Sequence, residues 1–556
     1  MLYESTRGRA PKIPFEEAII KGIADDGGLY VPEVVPKIGP DFIDALIGMD
    51  YAESALEIVK LYAESFTDQE LRYCVSRAYN SQTFDDPSVT PLRNLDDGMY
   101  IMELFHGPTS AFKDVALQLL PPLLTRSLSK TGTTETAAIL VATSGDTGKA
   151  ALEGFKDVPG TRVLVFYPKD GVSEIQKLQM VTQEGDNVDV AAVSGNFDDA
   201  QSGVKAIFAD ADVNARLRER SLRLTSANSI NWGRLLPQIV YYFRAYAELI
   251  KSGAIVNGER IGFTVPTGNF GNILAGWYAR EMGLPVSRFI CASNSNKVLT
   301  DFINTGIYDR NREFAVTISP AMDILISSNL ERLLYELSGR DAGFVTGLMN
   351  ELSARGRYSA GPEIRERINE LFYGGCANER ETIVALQWAF KRYGYVLDTH
   401  TAVGAHVYGE YKKSAGAART NDDGGCDQPE KMVIMATASP YKFAKDVYRA
   451  IAASESSAAD ERGSADADTD VVDSTDTAAG TTDSTDAAAG TTDSTDAAAS
   501  SSAAEFDELA YIDLLEKLNG TAAPAALRGL REKQRLHFIE IAKTQMKATA
   551  LEILLK

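Results

Sequence analysis

Cysteine is scarce. Cys74, Cys291, Cys376 and Cys426 are the only four in 556 residues, they lie far apart, and no two form a CxxC pair. That spacing gives neither a zinc site nor a disulfide framework, and it fits reduced, partly buried thiols in a cytoplasmic protein. Histidine is equally rare, with four residues and no pair at i, i+4, so no metal is expected. No apolar run approaches the roughly 18 residues of a membrane helix. The start, MLYESTRGRAPKIPFEEAII, has no basic segment leading into an apolar core and so does not resemble a secretion signal. Basic residues are outnumbered, 56 against 77 acidic, giving a net charge of −21. That balance argues against a nucleic-acid partner and against docking on an anionic membrane.

The acidity is unevenly spread. The stretch 454–503 holds twelve acidic residues and one basic residue, Arg462, and so carries 11 of the 21 net charges. Within it DSTDTAAGTT, DSTDAAAGTT and DSTDAAAS follow one another at 473–500 as a near-perfect decapeptide repeat. A stretch of Ala, Ser, Thr, Gly and Asp without aromatics cannot bury enough apolar surface to offset its ordering entropy, so disorder is expected. Amphipathic helical patterns resume in FDELAYIDLLEKL and in LREKQRLHFIEIAKTQMKATALEILLK, which makes the repeat an insert and not a tail. A shorter polar segment at 414–431 reads as a surface loop.

Between about 90 and 450, short apolar runs alternate with helical patterns. Strands are expected at 137–143, 163–167, 188–193, 262–266, 289–292 and 432–436. This alternation predicts an α/β fold with largely parallel sheets and helices on both faces. The expected division is a mainly helical region 1–90, an α/β body 91–453 in two lobes, the insert 454–503 and a helical segment 504–556 that completes the fold. In such sheets ligands sit beyond the carboxyl ends of the strands.

Three turns at such positions can hold chemistry. In 261-IGFTVPTGNFGN-272 a strand feeds Gly268 and Gly271 and then a helix, which is either a phosphate cradle built of N–H groups or a plain glycine turn. In 141-VATSGDTGKA-150, Ser144, Gly145, Asp146, Thr147 and Gly148 form either an anion nest or ordinary capping residues. In 103-ELFHGPTSAFKDVA-116, Lys113 opens an apolar helix. Burial there would lower its proton affinity and make it a nucleophile, whereas a snorkelling side chain would keep it an ordinary lysine. His106 alone reads as a structural hydrogen-bonding residue. An amine, a phosphate cradle and a carboxylate nest together are what pyridoxal phosphate requires.

With those residues on the page, the chain resembles the threonine synthase family of fold type II (tryptophan synthase β-like) enzymes, in its longer enterobacterial and fungal form. The resemblance runs through 5-STRG-8, 22-GIADDGGLYVP-32, 105-FHGPTSAFKD-114, 143-TSGDTGKAA-151, 227-ANSINWGR-234, 266-PTGNFGN-272, 319-SPAMDILISSNLERLL-334, 398-DTHTAVG-404 and 436-ATASPYKFA-444. It implies Lys113 as the catalytic residue joined to pyridoxal 5′-phosphate as a Schiff base. It implies Gly268, Asn269, Phe270, Gly271 and Asn272 around the cofactor phosphate, with Thr437 at the pyridine nitrogen. Ser144 to Gly148 would hold the substrate carboxylate and Arg7 the substrate's own phosphate. The implied substrate is O-phospho-L-homoserine, converted with water to L-threonine and phosphate, and the implied state is a monomer or weak homo-oligomer. Two competing readings are a related phospho-lyase releasing 2-oxobutyrate and a non-catalytic scaffold. Three positions depart from the family's usual residues: Ser439 stands where histidine is common, Thr399 where proline is, and Asn272 where an acidic residue is.

Overall fold

The computed structural model describes residues 1–96, 98–419, 430–453 and 507–556. The repeat insert 454–503, Cys426 and most of the expected loop 414–431 lie outside the described residues. The helix Thr399–Arg419 runs into the start of that loop segment.

Two parallel sheets organise the body. In the first the spatial order is Phe372–Cys376, Val286–Ser293, Ile261–Pro266, Met432–Ala436, Met99–Glu103 and Leu92–Asp96. All neighbours are parallel except the last pair, which is a hairpin. In the second the order is Ile539–Ala542, Val188–Ser194, Thr161–Pro168, Thr136–Ala142 and Leu222–Ser226, all parallel. The central strands are buried along most of their length, as their Val-, Ile- and Ala-rich runs require when helices cover both faces. Each strand expected from the sequence is present, within a residue or a few at its ends.

One region adds detail to the sequence expectation and one departs from it. The N-terminal residues are not helical alone: Leu2–Ser5, Ile13–Pro14 and Tyr30–Pro32 form a small antiparallel sheet beside four helices. Its Tyr3 ring packs 5.7 Å from Trp232, and Tyr62 packs 5.6 Å from the same indole, so this region shares its apolar core with the body. The second C-terminal pattern, expected as helix, is broken. Ile539–Ala542 pairs with Val188–Ser194 as an edge strand, and a short helix, Met546–Leu554, follows. Isoleucines two apart satisfy a strand as readily as a helix, and the open sheet edge decides.

Among the described residues no helix is long and apolar enough to cross a membrane. Among them no group of three or more His, Cys, Asp or Glu is placed to hold a metal.

Candidate active site

Lys113 is the first residue of the helix Lys113–Lys130. Side chains in a first turn lean back past the helix end, and the Lys113 ammonium reaches Asp146 Oδ2 at 3.0 Å. Asp146 in turn opens the helix Asp146–Phe155, which follows the strand Thr136–Ala142 of the second sheet. The amine therefore stands between residues placed by different sheets. It also lies 4.7 Å from the centre of the Phe112 ring. Burial pushes its proton affinity down; Asp146 opposes that shift and Lys442 reinforces it. Burial alone would raise the Asp146 carboxyl, but Lys113 and Lys442 hold it well below the usual carboxylate range.

The strand–turn–helix unit expected at 261–272 is present. Strand Ile261–Pro266 ends in 267-TGNF-270, and helix Gly271–Met282 begins at once, with Phe270 in the left-handed region at φ 60°. The free N–H groups of a helix start favour an anion at this point. Ser327 Oγ donates to the Gly268 carbonyl at 2.9 Å and Asn329 Nδ2 to the Asn269 carbonyl at 3.0 Å, pinning the turn from behind. The hydroxyls of Tyr241 and Tyr242 lie 2.7 and 2.8 Å from Asn272 Oδ1. Asn272 Nδ2 is buried and has no partner among the described residues. An unpartnered buried donor is costly, so this one fits a phosphate oxygen. Thr437 follows strand Met432–Ala436, the sheet neighbour of Ile261–Pro266, and lines the same pocket as Lys113 and residues 267–272.

The nest 144–148 is only partly turned toward the pocket. Asp146 and Thr147 line it. The N–H groups of Gly145 and Gly148 donate to Thr143 Oγ1 at 2.9 and 2.8 Å. Gly145, at φ 130°, has no room for a side chain, since a Cβ would stand 2.5 Å from Gln176. Ser144 is not among the lining residues. Arg7 does not line the pocket either; it grips Glu331 through two bonds of 3.1 Å. Ser439 caps the 3₁₀ turn Pro440–Phe443, its Oγ accepting from the Tyr441 N–H at 3.4 Å, and does not reach the pocket.

Several site residues were not singled out from the sequence. Arg234 lines the pocket, fully buried, with its Nε unpartnered among the described residues. His400 also lines it. Its Nε2 accepts the Ala321 N–H at 3.1 Å, so its proton sits on Nδ1, 2.9 Å from Asp398. Lys442 lies behind the pocket, completely buried, 2.7 Å from Asp146 Oδ1. All three fall inside segments that carry the family resemblance. Lys442 carries no local mark, because its partners Asp146 and Thr109 are distant in sequence.

The chain is similar to known proteins in both sequence and fold. The family description "Threonine synthase N terminus" matches residues 2–79. Threonine synthase of Pseudomonas aeruginosa is 40% identical over 451 residues, covering 81% of this chain and 90% of that protein. The pyridoxal phosphate-bound threonine synthase of Brucella melitensis superposes with a TM-score of 0.77 at 34% identity, covering 100% of this chain and 99% of that one. The yeast threonine synthase structure gives a TM-score of 0.78 at 31% identity, covering 100% and 98%. The fold is that of the fold type II pyridoxal phosphate enzymes. Within that class, the chain belongs to the threonine synthase family.

Proposed function

We propose that this protein is a threonine synthase, a pyridoxal phosphate-dependent lyase that converts O-phospho-L-homoserine and water to L-threonine and phosphate. The observation that carries the reading is one pocket lined by Lys113, the 267–272 cradle and Thr437. Its residues fit the cofactor: an amine of lowered proton affinity for the aldehyde, an unpartnered donor at a helix start for the phosphate, and a neutral hydroxyl for the ring nitrogen. When bound, pyridoxal phosphate supplies the electron sink that makes carbon-bound protons removable.

The chain's own residues do the remaining work. Gly268, Asn269, Phe270, Gly271 and Asn272 hold the cofactor phosphate, and Thr437 orients the ring. Lys113 Nζ takes protons from the substrate Cα and Cβ and returns protons to Cγ and Cα. One flexible side chain can serve all three carbons, and burial lowers its proton affinity, as a group that both takes and returns protons requires. Of the turn 144–148, Thr147 lines the pocket and is the member placed to receive the substrate carboxylate. Arg234, with Arg7 as a second cation, receives the substrate phosphate and stabilises it as it leaves Cγ. For Arg7 this requires release of Glu331. Closure of the pocket around these groups keeps water out until the addition at Cβ. The free thiols among the described residues, Cys74, Cys291 and Cys376, support a reducing, cytoplasmic setting, and we place the enzyme there as a monomer or weak homo-oligomer without a nucleic-acid partner.

Incubation of the purified protein with O-phospho-L-homoserine and pyridoxal phosphate is expected to yield threonine and phosphate in equal amounts. Release of 2-oxobutyrate in place of threonine would identify a phospho-lyase instead. Lys113→Ala is expected to abolish both turnover and covalent attachment of the cofactor; wild-type protein that fails to attach it would leave only a scaffold.

A further inference from the structure

Lys442 has no place in the proposed chemistry, yet it is one of the most completely enclosed cations among the described residues. Its ammonium bonds Asp146 Oδ1 at 2.7 Å and the Thr109 carbonyl at 3.0 Å. It does not line the pocket, so it cannot touch a ligand there. The other oxygen of the same carboxylate faces Lys113 at 3.0 Å. One carboxylate thus lies between two lysines in a buried interior, where an uncompensated charge is expensive.

The surrounding groups offer no substitute for Lys442. Gln176 Nε2 also bonds Asp146 Oδ1, at 2.8 Å, but it is neutral. His400 faces Asp146 with its proton committed to Asp398 and its Nε2 occupied by Ala321. Arg234 faces Lys113 and interacts with Asp114, whose oxygens are held by the Thr109 hydroxyl and N–H at 2.7 and 2.8 Å. If Lys442 were absent, Lys113 would be the one ammonium bonded to Asp146, and the cheapest state would keep Lys113 protonated. The anchoring is also local to the site: the turn Pro440–Phe443 that carries Lys442 begins three residues after Thr437.

Resting on the reading of Lys113 as the cofactor-binding amine, we propose that Lys442 is a positioning residue: by occupying Asp146 Oδ1 it keeps that carboxylate fixed and neutralised, so that Lys113 works as a free amine and not as the ammonium partner of Asp146. Both neighbours act on Lys113 in the directions this requires, Asp146 raising its proton affinity and Lys442 lowering it.

The test follows attachment of pyridoxal phosphate to the full-length chain, freed of cofactor, as a function of pH. Attachment is read by visible absorbance and, after borohydride reduction, by the mass added at Lys113. Lys442→Met and Lys442→Gln are expected to move the midpoint of attachment to higher pH by about one unit, a roughly tenfold loss of free amine below it. Lys442→Arg restores the charge and is expected to return most of the shift. In turnover the neutral variants should lose kcat with KM changed less. An unmoved midpoint in a folded neutral variant overturns the proposal. So does failure of the neutral variants to fold while Lys442→Arg folds, since Lys442 would then be structural only. Absence of attachment in the wild type is a different result, and it removes the assignment of Lys113 itself.

Discussion

A side-chain carbon at Gly268 would stand 2.8 Å from the carbonyl oxygen of Ala321. The cradle turn and the segment Pro320–Met322 are thus in backbone contact at the one place where the cofactor phosphate is expected. Gly268→Ala must push one of them away, at about 1 to 3 kcal/mol of overpacking. We expect it to lower cofactor occupancy after gel filtration and to weaken the melting increment that added pyridoxal phosphate gives. Full occupancy with an unchanged melt would mean that the turn yields without cost.

Arg234 and Arg7 should differ as substrate-phosphate ligands. Arg234 is buried in the pocket with an unpartnered Nε, whereas the charge of Arg7 is already matched by Glu331. Arg234→Leu is expected to raise the KM for O-phospho-L-homoserine at least about tenfold, the scale of one lost charge-assisted hydrogen bond. Arg7→Leu should change it by about threefold or less. Steady-state kinetics on both variants decide, and a larger effect at Arg7 would place the substrate phosphate nearer to Glu331.

Removing 454–503 should leave kcat and KM within about twofold of the intact chain, because that composition has too little apolar surface to support a core. The deletion would also take away 11 negative charges net, so a changed elution on anion exchange is expected alongside unchanged turnover. A large loss of activity would show that the repeat contributes to the folded enzyme.

How much of this was legible in the sequence depends on the range over which each feature is determined. The strand–turn–helix units at 261–282 and 136–155 are local, with glycines at their turns and continuous apolar runs in their strands, and they were placed correctly. The strand Ile539–Ala542 was not, since its pairing partner at Val188–Ser194 lies about 350 residues away and its own pattern suits a helix equally. The two-to-four-residue strands of the N-terminal sheet are too short for any period to show. The site divides in the same way. Lys113 and the cradle carry local signals, whereas Lys442 looks like an ordinary lysine in a polar turn until Asp146, roughly 300 residues earlier in the chain, is placed beside it.

His106 offers a stability prediction whose sign can be worked out. Its ring lies between two carboxylates, with Nδ1 2.6 Å from Asp85 and Nε2 3.0 Å from Glu103. Burial disfavours the charged ring, but the two carboxylates outweigh it and raise the pKa to about 9. Because the folded value exceeds the value of about 6.5 in an unfolded chain, the imidazolium contributes stability that is fully present below about pH 6.5. That contribution is lost as the pH rises through about 9. Asp85 is largely exposed and therefore screened, so the contribution expected is about 2 kcal/mol and not the full value of the shift. The measurement is urea unfolding of wild type and His106→Gln at two pH values. At pH 6 the variant should be less stable by about 2 kcal/mol. Near pH 10 the difference should fall well below that, because the wild-type ring is then neutral as well. A difference that stays constant across the two pH values would mean that His106 contributes through packing against Phe105, whose ring stacks on it at 5.0 Å, and not through its charge.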